Sequence, residues 1–263
     1  MQQVAFLTQH GKVPLLTEAL AALGWQIQAV SGFDTDLLGS FAGERPRFMT
    51  AAECALRKAA LAAELSGSAI GIGSEGSFNA GPYGLGTLNQ ELLCCVNIDE
   101  GWAVTAVAQQ LCSARSWQLT EAAMLQTILP TIPDGQLLLL KQGARLEKAL
   151  TPAQALLCCE QWLARGAVTL EYDLRAHCSP ERQQVIRLAA DNLRQRLQQL
   201  CPRCHKPGFW PELPLAGLPC ADCGQPTSQP RGLRACCRHC DYQQAFLQSS
   251  GFADPANCPQ CNP

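Results

Sequence analysis

The sequence predicts an α/β fold, a mixed sheet flanked by helices, followed by a small C-terminal module of tandem zinc ribbons. Two observations support this prediction. Short apolar strands alternate with amphipathic helices over residues 1–200, which is the pattern of an α/β domain. Four C-x-x-C pairs then occupy residues 201–263, where they indicate metal binding. We therefore divide the chain into an α/β domain, 1–200, and a zinc module, 201–263.

The α/β domain opens with a strand, a helix and a strand, at Gln2–Leu7, Val13–Leu23 and Gln26–Val30. Thr50 begins the next helix, because Glu53 follows it at the spacing of a capping box. The same periodicities predict the later elements. These are strands at Ala69–Gly73, Gln90–Ile98, Trp102–Ala108, Gln136–Lys141 and Gly166–Glu171, and helices at Glu121–Leu129, from Thr151-Pro152 onward and at Pro180–Leu200.

The composition argues against export and against a membrane partner. The longest strictly apolar runs are five residues, far short of a bilayer span, and no basic segment precedes the apolar run Val4–Leu7. Seven of the 16 cysteines are scattered through the first 200 residues, and nine crowd into the last 63. In a chain without an export signal, such clustering indicates metal ligands in a reducing compartment. We expect a cytoplasmic protein.

The four pairs that bind metal are Cys201/Cys204, Cys220/Cys223, Cys237/Cys240 and Cys258/Cys261. Each C-x-x-C presents two thiolates to one tetrahedral ion. Gaps of 15 residues, between the first and second pairs, and 17, between the third and fourth, are typical of zinc ribbons. We therefore predict two structural zinc ions bound in sequence order, one by the first four cysteines and one by the last four. A cross-braced pairing is the alternative, and Cys236 and His239 are further candidate ligands.

The charge of the zinc module bears on its partners. The module contains five basic and four acidic residues, a net charge of +1. Eight thiolates with two zinc ions add −4, so the total is about −3. Since affinity for nucleic acid comes mainly from phosphate neutralisation, nucleic acid is disfavoured as a partner. A structural role, or the docking of a protein partner, is the expectation.

The first of three polar clusters in the α/β domain lies between the first strand and the first helix. His10, Gly11 and Lys12 combine a tight turn, a helix N-terminus and a positive charge, which together suit a phosphate. The long loop that follows the second strand contributes further charge for an anionic ligand, and its candidate binding residues are Glu44, Arg45 and Arg47. An ordinary strand-to-helix turn is the alternative.

The second cluster, Ser74-Glu75-Gly76-Ser77-Phe78, directly follows the strand Ala69–Gly73 and is predicted as a loop. Open α/β sheets bind their ligands at the carboxyl ends of strands. Glu75 is therefore a candidate catalytic or magnesium-binding residue, and Ser74 and Ser77 are candidate ligand contacts. A helix cap or turn is the alternative.

The third cluster follows the apolar strand that ends at Glu171. In an extended chain Glu171, Asp173, Arg175 and His177 project from one face, where four ionisable groups need partners or a metal. We predict Asp173 as a magnesium ligand, Arg175 as a substrate contact and His177 as a general base or a metal ligand. A solvent-exposed edge strand is the alternative.

Taken together, these motifs resemble those of an uncharacterised bacterial family that is known only as a domain of unknown function. The resemblance rests on His10-Gly11-Lys12, Ser74-Glu75-Gly76-Ser77-Phe78, Asp173 with Arg175-Ala176-His177, and the terminal Cys258-Pro259 with Cys261-Asn262-Pro263. It runs nearly end to end and implies that the clusters belong to one architecture. It implies no activity.

The N-terminal half also resembles, more distantly, the inosine/xanthosine triphosphate pyrophosphatases. Thr8, Lys12, the helix segment Cys54–Ala59 and Glu75 follow the order of that family's phosphate-binding turn, helix and magnesium-binding acidic strand end. The chain departs from the pattern at His10 and Cys54, which replace asparagines, and it lacks the double aspartate. The resemblance thus implies phosphate binding by Lys12 and leaves base selectivity open.

The leading functional hypothesis is a magnesium-dependent hydrolase of a phosphorylated, small anionic substrate such as a nucleotide. Glu75, Asp173 and His177 would carry the chemistry. The competing hypothesis is a sensor or adaptor without catalysis, whose α/β domain binds a small ligand and whose zinc module docks a protein partner.

Overall fold

The computed structural model of the chain describes residues 2–8, 11–34, 48–247 and 250–263. The chain divides into two compact units, Met1–Arg194 and Gln195–Pro263. The first unit is a mixed α/β structure, which confirms the predicted fold class. None of the helices in the described ranges is long and apolar enough to cross a membrane.

The strands of the first unit are β1 (Gln2–Leu7), β2 (Trp25–Val30), β3 (Ile70–Ala80), β4 (Thr87–Asn97), β5 (Trp102–Cys112), β6 (Ser116–Leu119), β7 (Leu138–Gln142), β8 (Arg145–Leu150) and β9 (Val168–Tyr172). The helices are α1 (Val13–Ala21), α2 (Ala51–Ser66), α3 (Ala123–Ile128), α4 (Pro152–Leu163) and α5 (Pro180–Gln198), the last of which begins in this unit. Capping boxes open α2 at Thr50 and α4 at Thr151, as their sequences predict.

The first sheet has the strand order β2-β1-β3-β4-β5. Strand β1 is parallel to both β2 and β3, whereas β3, β4 and β5 are antiparallel neighbours. Helix α2 packs closely on one face, because a Cβ atom at Gly71 or Gly73 would overlap the backbone of Ala59 or Ala55. Helix α5 contacts the sheet where Asn192 Nδ2 donates to the carbonyl of Val107 at 2.8 Å.

Strand β3 is longer than the sequence predicts. It runs to Ala80, because the antiparallel partner β4 pairs with it residue by residue from Ile70 to Ala80. Its pairing with β1 covers Ala5 and Phe6 opposite Gly71 and Ile72. The predicted loop at 74–78 is therefore wrong, and these residues form the part of β3 that extends beyond the end of β1.

A second, antiparallel sheet has the order β6-β9-β7-β8 and encloses its own core. Trp162 on α4 is buried in this core, and the ring of Trp117 meets that of Tyr172 edge to face at 5.5 Å. Strand β9 ends at Tyr172, so that residues 173–179 lie where this sheet gives way to α5.

The second unit contains an antiparallel sheet of β10 (Pro211–Ala216), β11 (Pro230–Cys236) and β12 (Gln243–Leu247). A small apolar cluster packs beside it, with Phe209 and Tyr242 rings 5.7 Å apart. The four C-x-x-C pairs lie between or beyond these strands.

Candidate ligand site and cysteine tetrads

The first sheet has a topological switch point between β1 and β3. The chain leaves β1 to form β2 on one side, and it leaves β2 to form β3 on the other side. Open α/β sheets bind their ligands at such a point, beyond the carboxyl ends of the parallel strands. Lys12 precedes α1 at this edge, and Ser74 and Glu75 lie in the extension of β3.

Lys12 is buried at the switch point, with 6% of its surface exposed. Its Nζ donates to Ser74 Oγ at 3.1 Å and lies 3.7 Å from Glu91 Oε2. Burial lowers the pKa of Lys12 to about 8, although the attraction of Glu91 opposes this shift. A buried ammonium with a depressed pKa is unfavourable for stability, and such groups concentrate at functional sites.

Glu91 also holds Arg182, which reaches it from α5. Arg182 Nε donates to Glu91 Oε1 at 2.6 Å, and Nη1 donates to the carbonyl of Leu174 at 2.7 Å. The backbone of Gly76 leaves the space that this guanidinium fills, because a Cβ atom there would overlap Arg182 Nη2. Lys12, Glu91 and Arg182 thus form a buried triad with one more positive than negative charge.

Glu75 faces α2 on the other side of the sheet. Its carboxylate is ion-paired with Lys58 and accepts a hydrogen bond from Cys54 Sγ at 3.0 Å. All three side chains are buried or nearly so. Because α2 carries both Cys54 and Lys58 four residues apart, one face of that helix supplies both partners of the carboxylate.

The third cluster is not the extended strand face that its alternation predicts. Strand β9 ends at Tyr172, and Ala176–Cys178 forms a short 3₁₀ helix, so the four ionisable side chains do not share one strand face. Asp173 is fully buried. Its Oδ2 accepts from Arg175 Nη2 at 2.6 Å, and backbone N–H groups of Ala149 and Arg175 also donate to this carboxylate at 3.1 Å. Burial would raise the pKa of Asp173, but its bonds with Arg175 outweigh it and hold the pKa below the usual value.

His177 lies on the exposed side of this segment. Burial lowers its pKa, and the positive charges of Arg175 and Arg182 add to the effect. The lowered pKa favours the neutral imidazole, the form that accepts a proton. Glu171 is separated from this group, because its carboxylate pairs with Lys141 on β7 at 2.6 Å.

Arg182 joins the clusters that the sequence places far apart. Through Glu91 it meets Lys12 and the β3 extension, and through Leu174 it meets the segment that carries Asp173 and His177. Ser77 lies further along β3, and its Oγ accepts a weak bond from Asn79 Nδ2 at 3.4 Å. The remaining predicted binding residues, His10, Glu44, Arg45 and Arg47, lie outside the described residues.

Sequence reasoning missed Glu91 and gave Arg182 no role. The signal for Glu91 is a charge directly before the apolar run Leu92–Val96, where the strand becomes buried. For Arg182 the sequence offers only a first-turn arginine in α5, a common feature of surface helices. What singles it out is its burial, with 4% of its surface exposed.

The C-terminal cysteines form two tetrads that could each hold a metal ion: Cys201, Cys204, Cys237 and Cys240, and Cys220, Cys223, Cys258 and Cys261. Four Sγ–Sγ distances between pairs are 3.7, 3.5, 3.8 and 3.7 Å. A tetrahedral ion with bonds of 2.3 Å to sulfur requires about 3.8 Å between sulfurs. The tetrads therefore fit zinc, and the sulfurs are far outside disulfide bonding distance.

The pairing is cross-braced, so the predicted sequential pairing is wrong. The first pair joins the third, and the second joins the fourth. The meander of β10, β11 and β12 brings the turn after β11 back beside the first pair, where Phe209 and Tyr242 pack. The second pair meets the C-terminal segment through mutual backbone bonds, from Ala221 N to Ala253 O at 3.0 Å and from Ala253 N to Pro219 O at 2.7 Å.

A recurring turn shapes each C-x-x-C pair. The N–H four residues after the first cysteine bonds back to that cysteine's carbonyl, as in His205 to Cys201 at 2.9 Å. His205 adopts a left-handed backbone conformation, with φ of 58°, which marks it as a turn residue. Among the described residues neither Cys236 nor His239 belongs to a tetrad. The N–H groups of Cys261 and Gln260 lower the pKa of the Cys258 thiol, whereas hydrogen bonds from neighbouring thiols raise the pKa of Cys261 in the same tetrad.

Fold and site define an α/β protein with a polar, buried switch point and a C-terminal module of two cross-braced cysteine tetrads able to hold zinc. The chain belongs to the family described as Domain of unknown function (DUF6671), whose model matches residues 58–263. No curated protein and no solved structure matches the chain.

Proposed function

We propose that the α/β unit binds a phosphorylated small molecule, such as a nucleotide, at the switch point and hydrolyses it with the help of magnesium. The observation that carries the proposal is Lys12, a buried cation at the carboxyl ends of β1 and β3. Burying this positive charge is unfavourable for stability, and an anion bound beside Lys12 would offset that cost. The excess positive charge of the triad with Glu91 and Arg182 supports an anionic ligand.

The proposed roles follow from the surroundings of each side chain. Lys12 and Ser74 would bind phosphate oxygens. Glu75 faces α2 on the other side of the sheet, so its proposed part in binding magnesium requires that it leaves Lys58. A bound magnesium ion would neutralise phosphate charge. His177 would accept the proton of the attacking water. Asp173 receives a positioning role, because its carboxylate is held by Arg175 and two backbone N–H groups.

The test is turnover of a panel of nucleoside triphosphates with magnesium, measured as released phosphate or pyrophosphate. We expect turnover by the wild type, and a loss of at least about tenfold in Lys12→Met and in Glu75→Gln. Lys141→Met is the matched control, because Lys141 pairs with Glu171 at the half-exposed surface of the second sheet. Absence of turnover, or turnover that survives Glu75→Gln unchanged, would show that the hydrolase proposal is wrong.

The second candidate function is a ligand-binding sensor whose zinc module docks a protein partner. Two carboxylates that the sequence predicts as catalytic are already engaged by basic side chains, which favours this function: Glu75 is paired with Lys58, and Asp173 is paired with Arg175. Thermal-shift measurements with the same nucleotides separate the two functions. Stabilisation of the protein without product formation supports the sensor.

A further inference from the structure

Asn89 carries a buried side-chain amide that has no hydrogen-bond partner among the residues that the structure describes. It lies on β4 with none of its surface exposed, and within those residues neither Oδ1 nor Nδ2 is bonded. Leaving such a group unpaired is unfavourable for stability, and native structures rarely tolerate it without a reason.

The position of Asn89 connects it to the proposed ligand site. It lies directly opposite Phe78 in the register of β3 and β4, and two residues before Glu91. The three side chains therefore share the sheet face that Arg182 covers. The guanidinium of Arg182 lies 5.6 Å from the centroid of the Phe78 ring. The register thus places the carboxamide on the same face as the Phe78 ring and the Glu91 carboxylate, both of which lie close to Arg182.

We propose that Asn89 is a specificity residue that recognises a planar group of the ligand, one with a hydrogen-bond donor beside an acceptor. A carboxamide presents a donor and an acceptor side by side, and it pairs in two-bonded fashion with the edge of a heterocyclic base. An aromatic ring and an arginine nearby are the groups on which such bases stack. This inference rests on the proposed function, and it narrows the ligand to a phosphate ester that carries a base.

The competing explanation is an internal water that pairs with the amide. The two explanations differ in what Asn89→Leu does. Under the specificity role, leucine removes an unpaired polar group at nearly constant volume, so the variant folds and its melting temperature is unchanged or higher. Under the water explanation, leucine takes a partner away from the buried water, so the melting temperature falls. Only the specificity role predicts a loss of affinity for base-bearing ligands.

The experiment measures binding of nucleoside 5′-triphosphates and of inorganic triphosphate, which lacks a base, by calorimetry without magnesium. We expect Asn89→Leu to weaken the best nucleotide by at least about tenfold and to leave inorganic triphosphate unchanged. Lys12→Met should weaken both probes. The matched control is Asn97→Leu at the other end of β4, where Oδ1 accepts from the N–H groups of Asp99 and Glu100. That variant should lower stability and leave the ratio of the two affinities unchanged.

Each outcome decides between the proposals. Equal nucleotide affinity in the wild type and in Asn89→Leu, or equal affinity of wild type for nucleotides and inorganic triphosphate, overturns the role of Asn89 alone. If wild type binds neither probe, the proposed phosphate site fails as well, and the inference fails with it.

Discussion

The cross-braced pairing predicts which cysteines can be removed together without destroying both metal sites. Replacing Cys201, Cys204, Cys237 and Cys240 by serine deletes one whole tetrad and leaves the other complete. We expect this variant to bind one zinc ion per chain. Replacing the first four cysteines in sequence order instead removes half of each tetrad, and we expect that variant to bind no zinc in a four-thiolate site.

Loop-closure entropy does not decide between the two pairings, so both variants must be measured. Cys204 and Cys220 are 16 positions apart, whereas Cys204 and Cys237, joined in the cross-brace, are 33 apart. Doubling a loop costs only about 0.6 kcal/mol of closure entropy. A structural zinc site contributes on the order of 10–16 kcal/mol, so either pairing retains its metal firmly if its four ligands are present.

The assay is zinc stoichiometry by native mass spectrometry, with cobalt substitution to count thiolate ligands from the absorption spectrum. Both variants lack four cysteines, so each controls for the general effect of losing thiols. The cross-brace would be refuted if the variant that lacks the first four cysteines bound one zinc ion and the variant that lacks Cys201, Cys204, Cys237 and Cys240 bound none. That result would support two consecutive zinc ribbons instead.

Three further predictions concern the α/β unit. Burial lowers the pKa of Lys12 from its ordinary value of 10.5 to about 8, so the unfolded chain binds more protons than the folded chain between these pH values. The free energy of unfolding should therefore rise by up to about 3 kcal/mol across this window relative to Lys12→Met, as measured by urea titration at each pH. Asp173→Asn should lower stability by about 3 kcal/mol at pH 7, because Arg175 loses a buried partner, and the difference should shrink as the pH falls below about 4. Equal acid sensitivity of the two proteins in the same titration would contradict this. Gly73→Ala should lower the free energy of unfolding by about 1–3 kcal/mol or more, because the new Cβ would overlap the carbonyl of Ala55; an unchanged melting temperature would show that α2 packs less closely on β3.

Local patterns in the sequence are enough to predict the class of fold. The period-two and period-3.6 patterns locate β1, α1, β2 and α2 to within a few residues, because each element buries one face against the same core. The four C-x-x-C pairs likewise predict two four-thiolate groups, since a two-residue spacing brings both sulfurs to one ion whatever the rest of the chain does.

The partner of each pair and the members of the ligand site depend on contacts between distant segments. The sequential pairing is favoured by so little loop entropy that the packing of Phe209 against Tyr242 can reverse it. Strand β3 continues through residues 74–78 because β4 pairs with it, which no local pattern in those residues reveals. Glu91 and Arg182 are 91 positions apart, and only the packing of α5 on the sheet brings them together beside Lys12. The sequence alone therefore determines the elements and the metal-binding chemistry, whereas the long-range packing of the folded chain decides which polar groups share a site.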